Sequence, residues 1–370
     1  SDLKKAAKQK GGGDDDNEAN DEVEDEVEDE VEDEVEDEVE DKVEDKVEDI
    51  GNEDANYADA VRSALNYVSA NRQSILTPEH LQTYSPKFLA MLNNIIDPTH
   101  VGLHLVYSQF RSMEGIALFS MTLDTNGFAR FKIKSTGPNS WELDIPEEDM
   151  SKPKYAWYTG TESNEEREII RNIYNGTWNN VPNNITNQLK SISPNNNLGE
   201  IIKVIMITSA GSEGINLRNT RYVHVMEPYW QPARIEQVIG RARRICSHQE
   251  LPKELQTVEV FIYVMVLTEQ QRAREDLIEM RLKDKSRFPP FNPMTSDQAL
   301  FEISTIKFNL TKQLLKCIKE SSIDCATYSA ANQKEGLTCL SFGASPPDTV
   351  FSYNPDLDRK STRLNSSHVS

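Results

Sequence analysis

The run IIKVIMITS at residues 201–209 limits the fold more than any other stretch of the chain. It is almost uninterrupted apolar sequence, so it has no polar face to give to water. Such a run reads as a strand buried on both sides, the situation of a strand inside a parallel sheet covered by helices. The flanking sequence agrees. GLHLVYSQF (102–110) reads as a strand, and RSMEGIALFSMTLDTNG (111–127) as a helix halted at Gly127. FARFKIK (128–134) and WELDI (141–145), joined by STGPNS, predict a hairpin. PKYAWYTG (153–160) is a further strand, and Ser163 with Glu166 forms a capping-box pattern opening a helix that stops at Gly176. TRYVHVME (220–227) and TVEVFIYVMVLT (257–268) are strands on either side of a helix in QPARIEQVIGRARRI (231–245). Alternation of strands and helices predicts a doubly wound α/β sheet.

Outside this core the composition changes. Residues 14–54 hold 26 acidic residues and two lysines, while the whole chain of 370 residues carries a formal charge of −21. The remainder is therefore close to neutral, and the acidity belongs to one tract. From Asp21 the unit D-E-V-E repeats with period four, placing valine at 23, 27, 31, 35, 39, 43 and 47. A helix of 3.6 residues per turn smears that stripe around its surface, and like charges repel along it. A solvated, disordered linker is the expectation; a charge mimic that binds basic proteins is the sharper reading. The D-E-V-E unit also has the loose shape of a helicase metal-binding box. It lacks the hydrophobic strand that would aim such carboxylates, so the match is noise.

Residues 57–96 read as a helical lead-in, with Phe88, Leu89, Leu92, Ile95 and Ile96 on one side of the last helix. Beyond Glu269 a helical extension is expected, broken at FPPFNP (288–293) and resumed in QALFEISTIKFNLTKQLLKCIKESS (298–322). No apolar run approaches the roughly 20 residues that span a bilayer, so no membrane partner is expected, and no signal peptide is legible. Cys246, Cys317, Cys325 and Cys339 show no metal-ligand spacing, so no metal site is expected and all four read as buried or partly buried reduced thiols. An intracellular setting, cytoplasmic or nuclear, is the expectation. The start at Ser1 without methionine reads as that of a fragment. The stretch DRKSTRLNSSH (358–368) reads as a sequencing-adapter scar. The expected organisation is an acidic linker over 1–56, the lead-in over 57–96, an α/β lobe over 97–270, the extension over 271–345, a tail over 346–357 and the scar over 358–370.

In the helix at 231–245, Pro232 suits the first turn. At 100° per residue, Gln237, Arg241 and Arg244 fall within a narrow arc, opposite Ile235, Val238, Ile239, Ala242 and Ile245. Gly240 beside the row lets another group approach closely. By itself the row fits a solvated basic face equally well. Upstream, however, TSAGSEGINL (208–217) follows the most buried strand and offers hydroxyls and glycine-loop N–H groups to phosphates. A glycine loop, a strand and Q-x-x-G-R-x-x-R in that order form a specific combination.

These segments resemble the second RecA-like lobe of superfamily-2 helicases and translocases. The likeness is strongest to the Swi/Snf-type branch and to the nucleoside triphosphatase I-like enzymes of large cytoplasmic DNA viruses. HLVYSQF (104–110) is similar to motif IV, YTGTESNEER (158–167) to the block after it, TSAGSEGINL to motif V, and QVIGRARR (237–244) to motif VI. EPYWQP (227–232) is similar to the segment between motifs V and VI. The segment 295–325 resembles the extension of the viral enzymes.

The resemblance implies a RecA-like (P-loop NTPase-type) α/β lobe with a helical C-terminal extension, to which the composition adds a disordered acidic N-terminal tract. It implies an ATP-dependent nucleic-acid motor of which this is the C-terminal half. Arg241 and Arg244 would then reach the γ-phosphate of ATP, and Gln237 would position that phosphate or the attacking water. Glu213, Gly214, Asn216 and Gly240 would line the nucleotide side. Ser108, Gln109, Thr161, Thr208 and Ser209 would touch the nucleic-acid backbone. No GxxxxGK[ST] occurs, so ATP and Mg²⁺ would be held mainly by an upstream lobe. Double-stranded DNA is the expected partner and viral transcription machinery a further one. The alternatives are an RNA helicase and a non-catalytic acidic scaffold with a degenerate lobe.

Overall fold

The computed structural model describes residues 53–113, 115–137, 140–209, 215–273, 294–322, 325 and 327–339. The acidic repeat, the Pro-rich break and the tail lie outside these. The chain divides into two units, Ser1–Ala70 and Asn71–Ser370. In the first, α1 spans Glu53–Ala70 and half-buries Val61, Ala64, Leu65 and Val68 at helical spacing. The lead-in expected over 57–96 is thus cut by a unit boundary after Ala70.

The second unit opens with α2 (Arg72–Ile75), α3 (Pro78–Tyr84) and α4 (Pro86–Ile96). Proline stands at the start of α3 and α4, where a missing N–H costs nothing, and Ser85 Oγ caps Phe88 N. On α4, Phe88, Met91, Leu92 and Ile95 are buried, and Phe88 meets Phe119 edge-to-face at 5.2 Å. Phe119 belongs to α5 (Ile116–Thr125), which follows β1 (Leu103–Tyr107). The helix α5 ends at Gly127, whose φ of +89° suits a residue without Cβ.

Beyond come β2 (Ala129–Arg130), β3 (Ile133–Gly137), β4 (Ser140–Leu143), β5 (Lys154–Tyr158), α6 (Asn164–Tyr174), α7 (Asn183–Ile192), β6 (Val204–Ile207) and β7 (Thr220–Val225). They are followed by α8 (Pro232–Ala242), β8 (Glu259–Ile262), α9 (Glu269–Ala273), α10 (Ser296–Ser321) and α11 (Ser329–Lys334). Six strands form one sheet in the order β2-β5-β6-β1-β7-β8, parallel at every pairing. With its flanking helices this is the RecA-like α/β architecture expected. Every residue of β1, β6 and β7 is buried, as the apolar run at 201–209 requires.

Two expectations are corrected, and one helix appears that was not expected from the sequence. The hairpin predicted from FARFKIK is divided: Ala129 and Arg130 pair in parallel with Lys154 and Tyr155, and only Ile133–Gly137 pairs antiparallel with β4. Ala129, Phe131 and Ile133 are all buried, so one unbroken alternation conceals the change of partner. The helix α7, unread in the sequence, buries Ile185 and Leu189 beside the β3–β4 hairpin, with Asn184 Nδ2 donating to Trp141 O. The cysteines are not four buried thiols. Cys325 and Cys339 form a disulfide, and Cys246 and Cys317 are exposed.

Candidate nucleotide and nucleic-acid site

In a parallel sheet the strand carboxyl ends open onto one edge, where ligands of such folds bind. Register fixes that edge here: Tyr107 lies opposite both Ile207 and Val225, and Tyr158 lies opposite Ile207. The next residues of four strands therefore emerge together as Ser108, Thr159, Thr208 and Met226–Glu227.

Ser108 is fully buried. Its Oγ lies 2.9 Å from Glu227 Oε1 and 3.0 Å from the Phe110 carbonyl, and it accepts from Phe110 N at 3.1 Å. The Gln109 N–H donates to the same Glu227 oxygen. Ser108 thus secures its own loop, and it is Gln109, half-buried, and Phe110, exposed, that the loop presents outward. Burial raises the Glu227 pKa above the usual carboxylate value, opposed by the hydrogen bonds from Gln109 and Ser108. Glu227 was not singled out from the sequence. Its signal was an acid ending a strand of six buried residues.

After β5, Glu162 folds back so that its Oε2 accepts from both Thr159 N and Thr159 Oγ1 at 2.8 Å. Arg130 approaches Glu162 at 3.7 Å while its guanidinium stacks on Trp157 at 3.8 Å. That clasp leaves Thr161 exposed at the tip, 3.0 Å from the Thr159 hydroxyl. After β6, Thr208 is buried and Ser209 half-buried. Glu213 and Gly214 lie outside the described residues. The far end of that loop is anchored: Asn175 Nδ2 donates to Asn216 O and Asn175 Oδ1 accepts from Arg218 N, both at 2.8 Å. Asn216 itself is exposed.

The helix α8 turns Ile235, Val238, Ile239 and Ala242 into the core. Its outward side carries exposed Gln237, half-buried Gly240 and half-buried Arg241, and a Cβ built on Gly240 meets nothing within 4 Å. Leu217 N donates to Arg241 O at 3.2 Å, tying the end of the glycine loop to the arginine helix. Arg244 departs from the expected arc, because α8 ends at Ala242 and Arg243 caps it. Ser247 explains the stop. Its Oγ donates to Ala242 O at 3.1 Å, its N donates to Arg244 O at 3.2 Å, and its carbonyl accepts from Asn219 N at 2.9 Å. Beyond the cap, Arg244 is exposed, and Ile245, expected in the core, is 97 % exposed.

The outward side of α8 thus sets an amide, from Gln237, and a guanidinium, from Arg241, beside an open glycine, and both groups are donors suited to phosphate oxygens. Among the described residues no cluster of three His, Cys, Asp or Glu is placed to hold a metal ion. None of the helices among them is long and apolar enough to cross a membrane.

A model of the helicase conserved C-terminal domain matches residues 183–246, which run from α7 through the arginine helix. A putative ATP-dependent RNA helicase of Acanthamoeba polyphaga mimivirus is 28 % identical over 261 residues, covering 70 % of this chain and 36 % of the relative. A termination factor NPH-I homolog of African swine fever virus is 29 % identical over 266 residues, covering 66 % and 33 %. The chain spans about a third of the length of these curated relatives. Among solved structures, the C-terminal part of the Fun30 ATPase domain aligns with a TM-score of 0.29 at 14 % identity, over 60 % of this chain and 52 % of that one.

Proposed function

From a chain that carries a superfamily-2 helicase-type C-terminal lobe, we propose that it works as the C-terminal half of an ATP-dependent nucleic-acid motor. The observation that supports this most is the bond from the Leu217 N–H to the Arg241 carbonyl, which ties the far end of the glycine loop to the helix that carries Gln237 and Arg241. Arg241, with Arg244 on the turn after the helix, would stabilise charge on the γ-phosphate of ATP. Gln237 would orient that phosphate or the attacking water, and Glu213, Gly214, Asn216 and Gly240 would border the nucleotide. The residues present fit this part because they supply donors and an open glycine face. ATP supplies the hydrolysable phosphoanhydride when bound, with Mg²⁺, mainly by a second lobe. Gln109, Thr161, Thr208 and Ser209 would touch the phosphate backbone of double-stranded DNA, with Ser108 setting the loop. An intracellular setting, in a viral factory, virion or nucleus and beside transcription machinery, goes with this reading.

The test is Arg241→Ala in the longest natural chain that contains this one. An arginine finger contributes about 10³–10⁵ to turnover, so nucleic-acid-stimulated ATP hydrolysis should fall by about that factor while nucleic-acid affinity is kept. Unchanged turnover would refute the finger. The likeness to a mimivirus RNA helicase favours RNA as a second reading. Stimulation of the wild-type protein by RNA but not by duplex DNA would select it.

A further inference from the structure

The loop after β1, which the proposed function assigns to nucleic acid, is bonded to a buried carboxylate on the segment that leads into the arginine helix. Glu227 is 7 % exposed and accepts from Ser108 Oγ and from the Gln109 N–H. Both donors belong to the loop after β1. Glu227 itself belongs to the segment after β7, and four residues separate it from Pro232, the first residue of the arginine helix α8. That segment is stiff. Pro228 and Pro232 each fix a backbone angle, and Arg234 clamps Tyr229, its Nη1 donating to the phenol oxygen at 3.2 Å and its guanidinium lying 5.0 Å from the ring centre.

Resting on the motor reading above, we infer that Glu227 is a positioning residue, setting the nucleic-acid loop Ser108–Phe110 in register with the lead-in to the arginine helix. The physical reason is the loop's own shortage of partners. At the sheet edge the Gln109 N–H has no strand to pair with, and an orphaned amide N–H is costly. A carboxylate is the stronger acceptor, its hydrogen bonds roughly twice as strong as those of a neutral group. It also reaches two donors of successive residues at once, which fixes direction as well as distance. A residue serving only to fill space at this position would carry no such acceptor.

The discriminating variants are Glu227→Leu, which keeps bulk and removes the acceptor, and Glu227→Gln, which keeps an acceptor oxygen. Two measurements on this chain decide the matter: amide hydrogen exchange at Gln109 and Phe110, and affinity for a short fluorescent DNA duplex well below the melting temperature. The leucine variant should speed exchange at Gln109 and weaken binding by about tenfold each, the equivalent of one lost charged hydrogen bond. The glutamine variant should restore both to within about twofold. A role in folding alone would move the melting temperature and leave local exchange and affinity in place, and that pattern overturns the inference. Failure of glutamine to rescue overturns it too. If the wild-type chain binds neither DNA nor RNA, the motor reading fails, while exchange at Gln109 still decides the link. Should the leucine variant not fold, Glu227→Met removes the acceptor with side-chain length preserved, under the same expectations.

Discussion

Asn196 supports more backbone than any other side chain in the molecule's described core. It is 1 % exposed, donates from Nδ2 to Tyr174 O at 3.0 Å and Ile202 O at 3.1 Å, and accepts at Oδ1 from Ile201 N at 2.8 Å and Ile202 N at 2.9 Å. Those bonds hold the chain just before β6, so the most apolar strand depends on a polar residue ahead of it. Asn196→Ala orphans these groups in a dry site, and the expected loss is about 3 kcal/mol or more, read as a drop in the urea midpoint. The exposed pair Lys134–Asp144, 3.9 Å apart with both side chains about half exposed, is a control. Asp144→Ala should leave the midpoint almost where it is. At this scale the sequence was a partial guide. The i,i+4 spacing of Gln237 and Arg241 was enough to put them on one helical face, because a helix wheel needs only a helix. Arg244 was misplaced because the helix end is set by Ser247, a residue whose hydroxyl gives no signal in hydrophobic periodicity.

Between elements, β1 and β7 are joined by more than their ladder. His104 and His224 lie across that strand pair with Nδ1 of the first 3.0 Å from Nε2 of the second. They stack in a row with Tyr222 and Phe261, and His224 Nδ1 meets the Tyr263 hydroxyl at 2.8 Å. Burial, joined by neighbouring positive groups, holds His104 well below the ordinary histidine value, and burial depresses His224 to about 3. Both imidazoles are therefore neutral in the folded protein at neutral pH. Depressed values mean that the unfolded chain takes up protons first. The contribution of His224 is complete above pH about 6.5 and is lost as the pH falls toward about 3, at up to about 1.4 kcal/mol per pH unit, and His104 adds a loss of the same sign. Urea midpoints measured from about pH 7 to 4.5 should decline, and His224→Phe should flatten the decline; a slope unchanged by the substitution would show that the pair is not its source. The strands that carry these rings were legible as buried apolar runs. The division of residues 128–137 between two sheets was not, because periodicity reports which face is buried and is silent about the partner. The helix α7 was missed for a different reason: its apolar positions are few, and it covers a hairpin instead of the main sheet.

At the level of the whole chain, the net negative charge is concentrated at 14–54, and the sheet is built from near-neutral sequence beyond it. The sheet's strand order has a temporal meaning as well. β1 sits in the middle of the sheet, yet Leu105 pairs with Ile205 and Val223, about a hundred residues further along. On a ribosome adding about 5–20 residues per second, LHLVY leaves the tunnel and then waits roughly 5–20 s for the strands that will flank it. Refolding of the isolated chain should accordingly be slow for its size, as pairings so distant in sequence must close long loops before they gain anything. A version ended at residue 200 should give no cooperative melting transition, since it holds the central strand without either neighbour; a sharp transition from that truncation would contradict this. For that interval a translating cell holds LHLVY as a sticky pentapeptide awaiting its neighbours, the kind of segment whose exposure invites aggregation.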